Sequence, residues 1–461
     1  MSVKHIIAEM QEVFVHQCRA LETSSGFCQR ISPISASAWV QGLVFGWLSH
    51  PNASLSSLAR TLAVAGAPVS PQAVQQRFGE AGAKLMRGVL EALTQSALDK
   101  ATTDSVSSKE HAWLSAFPAL WIRDSTLITL PVALQEQWPG SGGATGPSAA
   151  LKVSVQWEWQ SGTLAPLHIT CATHHDQKAA AQQDALAAQK GQGVREGEMH
   201  VFDLGYFALD WLAHLHAQNA YFCCRYKTGT QVYWPSADSE ATWDSSPTSL
   251  LERLEALPKD CAQVEWQVKL GRKAQLPVRL LAVRVPPDVA TGHRRKLKAH
   301  TKRKRQNVSE ERLELCGWNL HITNAPSSLL TLEQARVLYR VRWQIERLFR
   351  LWKETLQVDE WRSRNPHRIL CEIYAKLMGA LLTQKLTVFC LWFDPARSLV
   401  KCAQTIAGYA LTLLIHLKCN HTLATTLNAL KKACLFAACI DSRRTRPATC
   451  QRIKHAQYSL A

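Results

Sequence analysis

The sequence contains no CxxC pair. Its 14 cysteines are scattered, and the adjacent Cys223-Cys224 cannot form one arm of a zinc ribbon, so a zinc framework is excluded. Cys371, Cys390 and Cys434 sit among apolar neighbours, which predicts reduced, buried thiols in a cytoplasmic protein. Acid is in short supply as well. Against 53 Lys and Arg stand 36 Asp and Glu, a formal net charge of +17. Such a surplus favours a polyanionic partner, nucleic acid before an acidic membrane face. No apolar run reaches membrane-span length: the longest, 377–393, contains Gln384 and Lys385 and reads as a core helix. The opening MSVKHIIAEMQEVFV carries Glu9 and Glu12 within its apolar periodicity, so an amphipathic helix is expected there and not a signal peptide. There is no internal repeat.

What is present is enough chain, 461 residues with 46% apolar, for two to four domains with a sizeable core. Residues 1–105 read as helical. SLSSLARTL (54–62), a Gly66/Pro68 break, and a longer helix over 70–93 with Ser70 as N-cap and Pro71 at its first position suit a helix-turn-helix. Gln72, Gln75, Gln76 and Arg77 then occupy the part of the second helix that meets base edges. An ordinary helical hairpin fits the same pattern. From about 116 the pattern changes to short apolar runs. ALWIRDST (119–126) predicts a strand ending at a polar cluster, and 151–170 predicts a hairpin about Ser161-Gly162. An Ala/Gln-rich helix (178–190) leads to MHVFDLGYF, a buried strand ending in Asp203. This is an α/β layout. Strand-like runs follow at 220–227, 230–234, 262–270, 277–285 and 320–324, and everything after 326 reads as helix, ending in a basic tail at 442–446.

The strongest helical signal is 327–356. Placed at about 100° per residue, Tyr339, Arg342, Glu346 and Lys353 fall within an arc of about 60°. Val341, Ile345, Leu348, Phe349 and Trp352 form an adjoining apolar arc that would pack on a sheet. Taken alone, this is a solvated face with an Arg342–Glu346 pair. Two aspartates at strand ends alter that reading. Asp124, Asp203 and Glu346 would repel one another unless a cation lay among them, and hard oxygen donors of this kind suit Mg²⁺. Two such ions about 4 Å apart can activate water or a 3′-hydroxyl and stabilise the leaving oxygen of a phosphodiester. Asp210, within FALDWLAHL, competes with Asp203 but reads as helical.

Tyr339-x2-Arg342-x3-Glu346-x6-Lys353 resembles the Y-R-E-K signature of DDE transposases of bacterial insertion sequences, the insertion-sequence-four family. IRDST and FDLGYF resemble its first- and second-aspartate blocks, and the resemblance covers about 116–375. It implies an RNase-H-like catalytic domain (106–221 and 325–375) interrupted by a strand-rich insertion (222–324). Helical regions flank it: 1–105, which would bind DNA ends, and 376–461, which by elimination and by its apolar content is the natural place for the homodimer expected on DNA. Asp124, Asp203 and Glu346 would be catalytic and would bind Mg²⁺, with Mn²⁺ as substitute, while Tyr339, Arg342 and Lys353 would contact phosphates beside the cleaved end. The implied partners are double-stranded inverted repeats and target DNA, with no membrane, in a nucleoid-associated protein. Some relatives use a tryptophan of the insertion to hold a flipped base. Trp234, Trp243 and Trp266 are candidates here, each also readable as buried structure.

The basic run 293–305 reads as a loop between two strands. Its Arg294, Arg295, Lys296, Lys298, Lys302, Arg303, Lys304 and Arg305 are placed to bind phosphate without reading sequence. His174-His175-Asp176 reads as a polar loop, since no further metal ligands stand at suitable spacing. Two rival functions remain, a catalytically silent DNA-binding regulator and a nuclease without strand transfer.

Overall fold

Ser35, Ser54 and Ser70 each accept a hydrogen bond from the backbone N–H three residues on, and each starts a helix. The computed structural model describes residues 2–28, 32–96, 109–142, 146–189, 191–236, 239–244, 246–303, 306–391 and 397–440. The chain opens with α1 (Val3–Gln11), α2 (Cys18–Ser24), α3 (Ala36–Ser49), α4 (Leu55–Val64), α5 (Pro71–Arg77) and α6 (Glu80–Ser96). Next come β1 (Leu120–Leu130), β2 (Ala149–Glu158), β3 (Thr163–Leu164), β4 (His168–Cys171), α7 (Asp176–Gln189), β5 (Met199–Phe202), α8 (Leu209–Ala217) and β6 (Tyr221–Arg225). Then β7 (Val232–Tyr233), β8 (Pro235–Ser236), β9 (Ser239–Trp243), α9 (Leu250–Glu255), β10 (Gln263–Leu270), β11 (Leu276–Arg284), α10 (Pro287–Arg303), α11 (Glu310–Glu314) and β12 (Trp318–Thr323) follow. The chain closes with α12 (Leu332–Val341), α13 (Trp343–Arg350), α14 (Pro366–Leu391), α15 (Leu399–His416) and α16 (Asn420–Ala437). This is a mixed α/β fold.

The chain divides into two compact units. The first lies within Met1–Ser107, Asp124–His174 and Gln344–Ala448. Its core is α14, the stretch expected to be a core helix, buried almost throughout against α3, α6, α15 and α16. Gly42 lets α3 and α4 approach: a Cβ there would meet Leu62 Cδ2 at 2.6 Å. Gln384, deep in α14, donates to the carbonyl of Gly162 at 3.0 Å, in the turn between β2 and β3. The strand order in this unit is β3–β2–β1, with β4 also antiparallel to β2.

The second unit lies within Ser108–Arg123 and His175–Trp343. Its strand order is β1–β5–β6–β12–β11–β10–β7, parallel across β1–β5–β6 and antiparallel thereafter. Phe202, Trp211, Leu215, Phe222, Trp234, Leu280 and Ile322 anchor its core. Arg279 on β11 is 3% exposed and fully engaged. It pairs bidentately with Glu265 at 2.7 and 2.8 Å and donates to the carbonyls of Ala325 and Leu330, ahead of α12.

Four expectations change. The strand expected to end near Asp124 continues to Leu130, because LITL prolongs the in-out alternation. The helix expected over 70–93 is two, parted at Phe78, whose backbone leaves the helical region so that its ring packs 4.9 Å from Trp39 and 6.3 Å from Trp47. The basic run is helical and not a loop through Arg303, while Lys304 and Arg305 lie outside the described residues, as does the basic tail at 442–446. Finally, the helix expected over 327–356 begins at Leu332, keeps helical backbone angles through Arg342 and winds into a π-helix over Leu351–Thr355. Among the described residues thirteen cysteines are free thiols, seven of them buried. One helix among those residues, α15, is long and apolar enough to cross a membrane by length and composition.

Candidate active site

The parallel β1–β5 ladder pairs Ile122 with Val201 and Arg123 with Phe202. The next residue of each strand is an aspartate, Asp124 and Asp203 respectively. Asp124 lies inside β1, half-buried, and its Oδ1 accepts from the N–H of Ser125 at 2.8 Å. Asp203 keeps extended backbone and caps the short turn 204–206, accepting from the N–H of Gly205 at 2.8 Å. Its rival Asp210 is in the first turn of α8 and exposed.

Glu346 is half-buried on α13, in the same unit as Asp124. The apolar arc expected beside it is real: Val341, Ile345, Leu348, Phe349 and Trp352 are all buried. Thr331 and Gln334 form a reciprocal capping box that starts α12. Lys353, in the π-helix, reaches the strand of the first aspartate and donates to the carbonyl of Leu127 at 2.9 Å. Its Nζ is also 3.8 Å from Asp359. A π-helical turn within a helix is frequent at functional sites.

Tyr339 and Arg342 belong to the second unit with Asp203. The Arg342 guanidinium is 5.7 Å from the Tyr339 ring centre, and that of Arg225, at the end of β6, is 5.8 Å from it. Arg225 is exposed and was not singled out from sequence; the one signal was a cation closing an apolar strand. His321 packs on the same ring at 4.7 Å. Burial raises the Tyr339 phenol above its ordinary range, against the pull of Arg342 and Arg225; Asp203 adds to the rise. Burial, with Arg225, Arg336 and Arg340 nearby, lowers His321 to about 3 and keeps it neutral.

The three acids are thus divided, Asp124 and Glu346 in one unit and Asp203 in the other. Among the described residues, no group of three or more His, Cys, Asp or Glu is gathered so as to hold a metal ion. The donor set itself, carboxylates following neighbouring positions of a parallel ladder, is the hard-oxygen type that Mg²⁺ takes.

The other candidates separate by role. On α10, Ala290 and Thr301 are buried while Arg295, Lys296, Lys298, Lys302 and Arg303 are exposed. Arg294 differs, since it donates to the carbonyl of Leu313 and pairs with Glu314 at 2.9 Å. Trp234 is buried edge-on to Trp266 at 5.3 Å, a structural role, and Lys269 lies 4.6 Å over Trp243. On α5, Arg77 is held by the carbonyl of Phe27 and Gln75 by Arg368, leaving Gln72 and Gln76 exposed.

Residues 116–382 match the family described as Transposase DDE domain. The chain is similar to the transposase for insertion sequence element IS231F of Bacillus thuringiensis subsp. israelensis, 28% identical over 347 residues, 73% of this chain and 70% of that protein. It is also similar to the transposase for insertion sequence element IS1151 of Clostridium perfringens, 25% identical over 391 residues, 83% and 80% of the two chains.

Proposed function

The chain belongs to the transposases with a DDE domain, and from that premise we propose that it acts on the ends of an insertion sequence. It binds terminal inverted repeats, hydrolyses DNA strands at the element boundary and joins the 3′ ends to target DNA. The observation that carries this reading is the β1–β5 register, which leads both strands into an aspartate. Asp124, Asp203 and Glu346 are the residues that would hold Mg²⁺, or Mn²⁺ in its place, in an RNase-H-like domain. Bound there, the metal would supply Lewis-acid activation of the attacking oxygen and charge neutralisation at the leaving one.

The remaining groups bind and orient DNA. Arg342 and Arg225, both near the Tyr339 ring, take phosphates next to the cleaved end together with Lys353. The exposed cations of α10 hold the duplex backbone without reading bases. The helices before residue 97 read the inverted repeat. A homodimer forms on DNA through the uncharged face of α15, where Val400, Leu411 and Ile415 are exposed.

The test is cleavage of a labelled duplex carrying the element's own ends, in Mg²⁺ or EDTA, beside Glu346→Gln. Metal-dependent cuts at the boundary, absent in the variant, are the expected result. Tight end binding with no cleavage in Mg²⁺ or Mn²⁺ would instead make the protein a silent DNA-binding regulator.

A further inference from the structure

The Ala/Gln-rich helix α7 has few apolar residues with which to pack, yet Asp184 on it is only 6% exposed. Its carboxylate pairs with Arg123 at 2.5 Å and accepts from the Trp211 indole N–H at 2.8 Å. Arg123 is itself 2% exposed and lies 5.1 Å over the Trp211 ring. Burial opposes the charge on Asp184, but Arg123, His200 and the Trp211 hydrogen bond outweigh it and hold the carboxyl below its ordinary range. The same helix makes a second attachment at its start. Gln177 donates from its side chain to the carbonyl of Phe207 at 3.0 Å, just past the turn that Asp203 caps.

These two attachments flank the two strand aspartates. Arg123 is peptide-bonded to Asp124 and stands in register with Phe202, which is peptide-bonded to Asp203. Neighbouring residues of a strand point to opposite faces, so an anchor on Arg123 fixes the direction of the Asp124 side chain without touching its carboxylate. A buried ion pair is a weak device for stability, because desolvating two charges offsets much of their attraction. It is a stiff device for geometry, and carboxylates that gather around a cation need stiffness, since they repel until it binds.

We propose that Asp184 is a positioning residue for the strand aspartates, acting through Arg123 to hold β1 and β5 in the geometry that metal binding requires. The proposal rests on the metal-triad reading above. The experiment measures Mn²⁺ affinity of the DNA-free full chain by electron paramagnetic resonance, alongside thermal melting, for Asp184→Asn, the apolar double variant Arg123→Met/Asp184→Leu, and Asp124→Asn. A buried pair replaced by apolar groups of similar volume commonly keeps stability, so the double variant separates folding from positioning. The expected result is a loss of Mn²⁺ affinity of about 10–100-fold in the double variant at a near-unchanged melting temperature, with Asp184→Asn weakened in the same direction. Wild-type Mn²⁺ affinity in either folded Asp184 variant overturns the proposal, as does affinity lost only in step with melting. Unaltered Mn²⁺ binding in Asp124→Asn overturns the triad reading itself, a different failure that the same titration identifies.

Discussion

Lys353 donates its ammonium proton to the carbonyl of Leu127, three residues along the strand from Asp124. The side chain that would meet a DNA phosphate is therefore parked on backbone, a third exposed, with Asp359 3.8 Å away. Its hydrogen bond is a modest contributor to folding, about 1 kcal/mol or less at this exposure. We expect Lys353→Met to melt close to the parent. Its end binding should lose about 1 from the slope of log affinity against log salt concentration. An unchanged salt slope would remove Lys353 from the phosphate contacts.

The α10 cations allow a cleaner version of that measurement. None of Arg295, Lys296, Lys302 and Arg303 is buried, so replacing all four with Gln should move stability by no more than about 0.5 kcal/mol for each site. Non-specific duplex affinity should fall and its salt slope should drop by about 3–4. Arg294→Gln should act differently, weakening the link to Leu313 and Glu314 with little effect on the slope.

In the N-terminal helices the sensitive position is Gly42. Ala there brings a Cβ to 2.6 Å from Leu62 Cδ2 and 3.2 Å from Leu62 Cα, too close without a shift of α4. We expect Gly42→Ala to destabilise by about 1–3 kcal/mol in urea unfolding. Adding Leu62→Ala should recover part of that loss, and strict additivity of the two would show that they do not share the contact.

Acid should destabilise the second unit through His321. Its folded pKa is lowered to about 3 by burial and by Arg225, Arg336 and Arg340, while an unfolded histidine titrates near 6.5. Between those values the unfolded chain binds the extra proton, so stability is complete above pH 6.5 and is lost as pH falls towards 3. Glu198, held down to about 2, begins to contribute only below its unfolded value of 4.5. His321→Phe, which keeps a ring against Tyr339, should flatten the stability profile between pH 6.5 and 5 by up to one proton's slope. Denaturant midpoints across that range measure it.

Much of this architecture could be read from residues. The β-branched and aromatic runs around 151–160, 262–270 and 277–285 are strands within a residue or two, because short β-branched and aromatic runs bounded by turn residues favour a buried pleat. Ser70-Pro71 marks a helix start as it should. The helical nature of α10 was obscured by its own charge: with only Ala290 and Thr301 buried it has almost no apolar stripe, although Lys, Arg and Ala are good helix formers. The tightening at Arg342, whose N–H bonds back to the carbonyl of Tyr339, has no local mark: no proline or glycine stands there. Likewise nothing in DQKAAAQQDALAAQ announces that one of its acids holds a buried arginine.

The engagement of Arg279 reaches beyond its own strand. One guanidinium ties β10, β11 and the segment that launches α12, three pieces separated by up to 65 positions in the chain, through two carboxylate and two carbonyl acceptors. To release any one of them, the protein must leave a charge or two carbonyls stranded out of water. Strands β10 and β11 and the start of α12 should therefore open to solvent hydrogen exchange as a single cooperative unit, with common protection and a common denaturant dependence. Whatever mobility the cation-bearing helix α10 has, it is borne by a scaffold expected to open all together or not at all.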